Sequence, residues 1–99
     1  MRELRWIDSI TLTGQPVWEL RGVIEQRQGE NRNAVDGGVQ KISHGHWIAY
    51  IDQYLIPHHK GDLESYFPDA ESAMRAVEDE LIRRCRTTLA ALEALHANQ

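Results

Sequence analysis

The longest regular pattern in this chain is an amphipathic segment near its carboxyl end. After Pro68 and Asp69, apolar residues recur at steps of three and four, the spacing that places side chains on one side of an α-helix. Asp69 is a favoured N-cap residue, so we predict a helix over about residues 69–96. The residues of this predicted apolar side are Ala70, Ala73, Met74, Val77, Leu81, Cys85, Leu89, Leu92 and Leu95.

Shorter segments with a two-residue alternation precede the helix and predict β-strands. Residues 4–12 and 17–27 alternate apolar with polar side chains, which is typical of strands with one buried face. Residues 13–16, TGQP, contain Gly and Pro and predict a turn between these strands. Residues 28–38 are rich in Gly, Asn and charge, so we predict a loop there, of a length that is either disordered or functional.

Residues 39–56 have apolar side chains at both odd and even positions, which permits two interpretations. The segment could be one long bent strand or two short ones, either central in the sheet and covered on both sides or forming a hairpin that turns near Asp52 and Gln53. We favour the central strand, because strands buried on both faces read as nearly continuous apolar runs.

Together these elements predict a single α+β domain over residues 1–99. Three to four antiparallel strands within about residues 4–56 pack against one long C-terminal helix as a two-layer sandwich. Such a helix is about 40 Å long, whereas a nine-residue strand spans about 30 Å. We therefore expect the helix to extend beyond the sheet and to offer Leu89, Leu92 and Leu95 for contact with a second copy of the chain.

The composition excludes some classes of protein. A net charge of −4 disfavours general affinity for nucleic acid, which needs clustered Lys and Arg. The chain has one cysteine, Cys85, and needs no oxidising compartment. No segment resembles a signal peptide or approaches the roughly 20 apolar residues that span a bilayer. We expect a cytoplasmic protein that does not bind membranes.

Four histidines flank one apolar, aromatic stretch, SHGHWIAYIDQYLIPHH at 43–59. His44 and His46 have the spacing that puts two side chains on one face of a strand. If the chain reversed near Asp52, they could meet His58 and His59 and bind zinc or nickel. The alternative is a solvated rim at the ends of a strand, and we favour it.

Acidic residues dominate the first half of the predicted helix. Residues 68–82 carry five acids against Arg75 alone, which is typical of a solvated helix face and also suits a basic groove on a partner. A basic cluster follows, formed by Arg83, Arg84 and Arg86. It is interpreted as a solvated, ion-paired cluster or as a phosphate contact. Cys85 lies on the apolar side, so we predict a buried thiol. The candidate partner-binding residues are Glu71, Glu78, Asp79 and Glu80 on the helix and Asn31, Arg32 and Asn33 in the loop.

Motifs of known chemistry are absent. The sequence has no Gly-rich phosphate loop, no Walker pattern, no GxSxG elbow, no HExxH and no CxxC pair. We therefore name no catalytic residue and expect no cofactor. A non-enzymatic role is favoured, and a small metal-dependent enzyme built on the histidines remains an alternative.

The order of SHGHW followed by AMRAVEDELIRRCRTTLAAL resembles small proteins of phages and other mobile elements. It is most similar to anti-CRISPR inhibitors of type I surveillance complexes, which are small acidic α+β proteins. The likeness lies at Ala73-Met74, Ala76, Leu81, Cys85-Arg86 and Leu89. It implies a steric inhibitor, in the host cytoplasm if phage-encoded, that binds a protein or ribonucleoprotein and blocks target DNA or nuclease recruitment.

A second resemblance is to the arm-binding domains of phage integrases, in which three strands and a helix place a sheet in the DNA major groove. It implies a DNA-contacting domain with basic and polar side chains on the open sheet face. In this chain Arg21, Arg27 and Lys41 alternate with Glu19 and Glu25. We therefore favour a non-enzymatic protein-binding module over a DNA-contacting domain.

Overall fold

The computed structural model describes residues 6–21, 35–52, 54–59, 61–62 and 65–97. The predicted α+β class is confirmed, with five strands instead of three to four. The strands form one antiparallel sheet in chain order, and the helix packs on one face of it. The elements are β1 (Trp6–Ile10), β2 (Pro16–Arg21), β3 (Val35–Lys41), β4 (Trp47–Ile51), β5 (Tyr54–Ile56) and α1 (Ala70–Ala97).

Strand β3 begins inside the segment predicted as a loop. Residues 35–38 lie in the middle strand of the sheet, and residues 28–34 fall outside the described part of the chain. The two glycines explain the error, because they serve close packing instead of a turn. A Cβ atom on Gly37 would lie 2.6 Å from Val77 Cγ1 of α1, and one on Gly38 would lie 2.4 Å from Tyr50 Oη.

The favoured single strand over residues 39–56 is also wrong. A 3-10 turn at Ser43–Gly45 separates β3 from β4, and the chain reverses again at Asp52, which adopts a positive φ of 56°. Asp tolerates this left-handed conformation better than most residues. The hairpin alternative therefore holds for β4 and β5, in which Ile51 pairs with Tyr54.

The core lies between the sheet and the first half of α1. Asp69 caps the helix as predicted: its Oδ1 accepts a hydrogen bond of 2.7 Å from the backbone N–H of Ser72. This bond lowers the Asp69 pKa, with the Ser72 hydroxyl as the second cause. The buried apolar side chains of the core are Trp6, Leu20, Val39, Ala49, Ile51, Phe67, Ala73, Met74 and Val77.

The second half of α1 extends past the sheet. Leu81 still packs against the core as a partly buried residue, but every residue from Cys85 to Ala97 is exposed. The Cα radius of gyration is 15.3 Å, against about 13 Å for a compact chain of 100 residues. The helix is therefore longer than the surface that supports it.

Candidate interaction surface

An open groove lies where α1 leaves the sheet. One wall is α1 from Leu81 onward, and the other is the end of the sheet at β3 and the β4–β5 turn. Its volume is about 590 Å³. We call it the carboxyl-terminal groove, and its lining residues are Asp36, Ile51, Asp52, Leu81, Arg84, Cys85, Thr88, Leu89 and Leu92.

An exposed row of large apolar side chains continues from this groove to the end of the helix. Their exposed fractions are 47% at Ile82, 56% at Leu89, 48% at Leu92 and 57% at Leu95. Positions 82, 85, 89 and 92 follow the steps of three and four that bring side chains to one side of a helix. We call Ile82, Cys85, Leu89, Leu92 and Leu95 the apolar stripe.

The polar groups at the groove are largely engaged within the molecule. The Thr88 hydroxyl donates a 3.0 Å hydrogen bond to the backbone oxygen of Arg84, so this side chain adds little unsatisfied polarity. The Arg84 and Arg83 side chains both donate to the carboxylate of Glu80, with Nε–O distances of 3.1 and 2.9 Å. The Arg83 hydrogen bond is the main cause that lowers the Glu80 pKa to about 2, and Arg84 contributes in the same direction.

Cys85 is exposed, which corrects the prediction of a buried thiol. The side of the helix was predicted correctly, because Cys85 does lie on the apolar stripe. The sheet ends before this residue, however, so the thiol lines the carboxyl-terminal groove instead of the core.

The acidic residues proposed for partner binding differ in exposure and in their contacts within the chain. Glu78 is half-buried and accepts a 2.9 Å hydrogen bond from Trp6 Nε1, whereas Glu80 pairs with two arginines. Glu71 and Asp79 are exposed. At 100° per residue Glu71 and Glu78 lie on the same side of α1, and Asp79 is about 80° away from Glu71. The loop residues Asn31, Arg32 and Asn33 lie outside the described residues. Partner binding through this acidic set stays a prediction.

The described histidines of the segment 43–59 lie in two places, His46 beside Tyr66 and His58 beside His59. The His46 and Tyr66 rings stack with centroids 6.0 Å apart, and the His58 ring lies 4.5 Å from that of His59. The His44 side chain falls outside the described part. Within residues that the structure describes, no group of three or more His, Cys, Asp or Glu could hold a metal ion.

The face of the sheet opposite α1 carries mixed charges where it is described. Arg21 and Glu19 form an ion pair of 2.8 Å there. Glu19 is also the second cause, after burial, that raises the Tyr50 pKa. Lys41 pairs with Trp47, on the helix side of the sheet, so it does not join Arg21 on one surface. Glu25 and Arg27 lie outside the described residues.

Some groove residues could have been recognised from the sequence. Leu81, Cys85, Leu89 and Leu92 belong to the predicted apolar side of the helix, and the lengths of helix and strand predicted the overhang. Asp36, Ile51 and Asp52 carried no such signal, because only the packing of α1 on the sheet brings them beside the helix. Among the described residues, no helix combines the length and apolarity needed to cross a membrane.

Comparison with models of protein families, with curated proteins and with solved structures finds no match to this chain. The functional interpretation therefore depends on the geometry of the carboxyl-terminal groove and the apolar stripe.

Proposed function

We propose that this chain is a non-enzymatic protein-binding module and that the apolar stripe is its contact surface. One observation carries the proposal: four large apolar side chains of the second half of α1 are each about half exposed, at Ile82, Leu89, Leu92 and Leu95. Contiguous apolar surface of this kind is unfavourable in water and marks interaction sites in folded proteins.

The shape and the surroundings of the stripe support the same role. Leu89 and Leu92 give the helix wall of the groove an apolar surface, and the charged residues Arg84 and Asp52 also line it. An apolar centre with a polar rim is the usual anatomy of a protein–protein interface. A groove open along its length suits an elongated element such as a helix.

The resemblance to type I anti-CRISPR proteins extends this proposal. We infer an inhibitor that occupies a surface of a nucleic-acid-processing complex, such as a type I CRISPR surveillance complex, in the host cytoplasm. The net charge of −4 suits a basic surface on such a ribonucleoprotein. The inhibition would be steric and would use no cofactor.

Binding of target DNA by a purified type I surveillance complex tests this proposal. The full chain in excess should reduce DNA binding, and the double variant Leu89→Glu/Leu92→Glu should not, because two carboxylates would have to be buried at the contact. Ala90→Glu/Ala94→Glu places the same charges on the opposite side of the helix and should inhibit like the wild type. Circular dichroism should show equal helix content in all three proteins.

Two results would count against the proposal at different levels. If the wild-type chain leaves DNA binding unchanged, the CRISPR complex is not the target. If both double variants also retain every partner captured from a bacterial lysate by the wild-type chain, the apolar stripe is not a contact surface.

A further inference from the structure

The proposed function makes the apolar stripe a contact surface, and the inference that follows rests on that function. We propose that in the free protein the stripe is covered by the α1 helix of a second copy of this chain, packed antiparallel, so that the C-terminal halves of two helices cover each other. The contact would be isologous, with the same surface used by both copies.

The position of the sheet selects the antiparallel direction. In the first half of α1, Met74 and Val77 pack on the sheet, and Glu78 bonds to Trp6 of β1. A parallel second helix that followed the stripe would run into this sheet. An antiparallel helix overlaps only the projecting half, from about residue 84 to residue 97, which corresponds to about 20 Å.

The sequence of the stripe defines a register. In an antiparallel helix pair, the first apolar position of a heptad in one helix faces the second apolar position of a heptad in the other helix. Leu89 of one copy then faces Leu92 of the second copy, and the reverse contact follows by symmetry. In this register Cys85 faces position 96 of the second copy, and the end of each helix reaches the groove of the other copy.

Charges beside the stripe complement each other in the same register. Arg86 and Glu93 are both exposed and are seven residues apart, so they lie on the same flank of α1. Antiparallel pairing sets Arg86 of each copy beside Glu93 of the other, which gives two inter-chain ion pairs. Such flanking pairs select the partner and its orientation in helix–helix contacts.

The extent of the contact sets its strength. Stable interfaces bury at least about 1,200 Å² in total, and a contact of about four helical turns is no larger than the lower end of that range. We therefore expect a reversible dimer whose population rises with protein concentration. Its apolar centre is Leu89 and Leu92 from each copy.

Sedimentation equilibrium of the full chain from 1 µM to 500 µM tests the dimer. The wild type should shift from monomer to dimer, Leu89→Glu should stay monomeric, and Ala94→Glu should behave like the wild type. Arg86→Glu and Glu93→Arg should each weaken association roughly tenfold, because two ion pairs become like-charge contacts. Combining both changes should restore association, which a loss of folding could not do.

Cross-linking under mild oxidation tests the register. With His96→Cys, the introduced thiol should bond to Cys85 of the second copy and give a covalent dimer. The wild type should not, since the two Cys85 thiols would be about 16 Å apart along the helix pair. Efficient Cys85–Cys85 cross-linking in the wild type would contradict the antiparallel register.

The outcomes separate this inference from the proposed function. A wild-type chain that stays monomeric at 500 µM, while Leu89→Glu/Leu92→Glu loses a different captured protein, overturns the dimer and supports a heterologous partner on the stripe. If the wild-type chain stays monomeric and the double variant captures the same partners, both the dimer and the apolar stripe as a contact surface are overturned.

Discussion

At the scale of single residues, Gly37 lies where α1 comes close to β3, and its missing side chain permits that approach. A Cβ atom there would lie 2.6 Å from Val77 Cγ1 and 3.1 Å from the backbone oxygen of Tyr50. The backbone oxygen cannot move without disturbing the pairing of β3 with β4. The glycine is therefore a packing requirement of the two-layer core.

Gly37→Ala should lower the free energy of unfolding by about 1–3 kcal/mol, because added volume in a packed core forces its neighbours apart. Urea denaturation measures this loss. In a Val77→Ala background the same change should be less destabilising, since the closest side-chain atom is gone. An equal loss in both backgrounds would show that Val77 does not cause the strain.

The contribution of the Glu80 ion pairs to the stability of the protein depends on pH. The folded-state pKa of Glu80, about 2 against 4.5 for the ordinary carboxyl, means that the folded protein stabilises the charged form. The ion pairs with Arg83 and Arg84 therefore contribute fully above pH 4.5, and their contribution is lost as pH falls toward 2.

Glu80→Gln should lower the free energy of unfolding by about 1 kcal/mol at pH 7, the size expected of a surface ion-pair network. The difference from the wild type should disappear near pH 2. Thermal unfolding at several pH values checks this, with Asp79→Asn as a neighbouring exposed control that should stay near the wild type. A difference that persists at pH 2 would indicate a role for Glu80 other than charge.

At the scale of elements, α1 consists of two halves with different surroundings. The first half is capped by Asp69 and is fixed to the sheet by buried side chains and by the Trp6–Glu78 hydrogen bond. The second half keeps the apolar spacing but has no sheet beneath it. Helix formation is therefore continuous along α1, whereas stabilisation by tertiary packing is concentrated before residue 82.

Equivalent truncations in the two halves should have unequal effects. Met74→Ala should lower the free energy of unfolding by about 2–5 kcal/mol, because it leaves a cavity in the core. Leu92→Ala should lower it by less than about 0.5 kcal/mol in a monomer, because Leu92 is half exposed. Urea denaturation at low protein concentration compares the two variants. Equal losses of unfolding free energy would contradict the conclusion that the second half of α1 projects beyond the core.

At the scale of the whole molecule, the antiparallel sheet and the helix bury one core and leave one end of the helix uncovered. The sheet is a simple meander in chain order, so most strand contacts are local, and α1 supplies the long-range contacts to β3 and β4. The resulting asymmetry, a packed body with a projecting apolar helix, is the physical basis of the proposed interaction surface.

Local patterns determined the elements that the sequence predicted correctly. The cap at Asp69, the apolar spacing of α1 and the alternation in β1 and β2 depend on residues a few positions apart, so they are visible without any fold. The predicted overhang of the helix followed from the lengths of the two elements. Leu89, Leu92 and Leu95 were identified by this argument.

Only the tertiary structure decided which parts of these patterns are buried. In the sequence, Gly37 and Gly38 indicate a turn, and Glu78 has the pattern of a solvated helix residue. In the structure, α1 and Tyr50 pack closely against the two glycines, and Trp6 donates a hydrogen bond to Glu78. Cys85 lies on the apolar side of α1, which is buried only as far as the sheet extends. Burial depends on the position and extent of a distant surface, and no local spacing in the sequence carries that information.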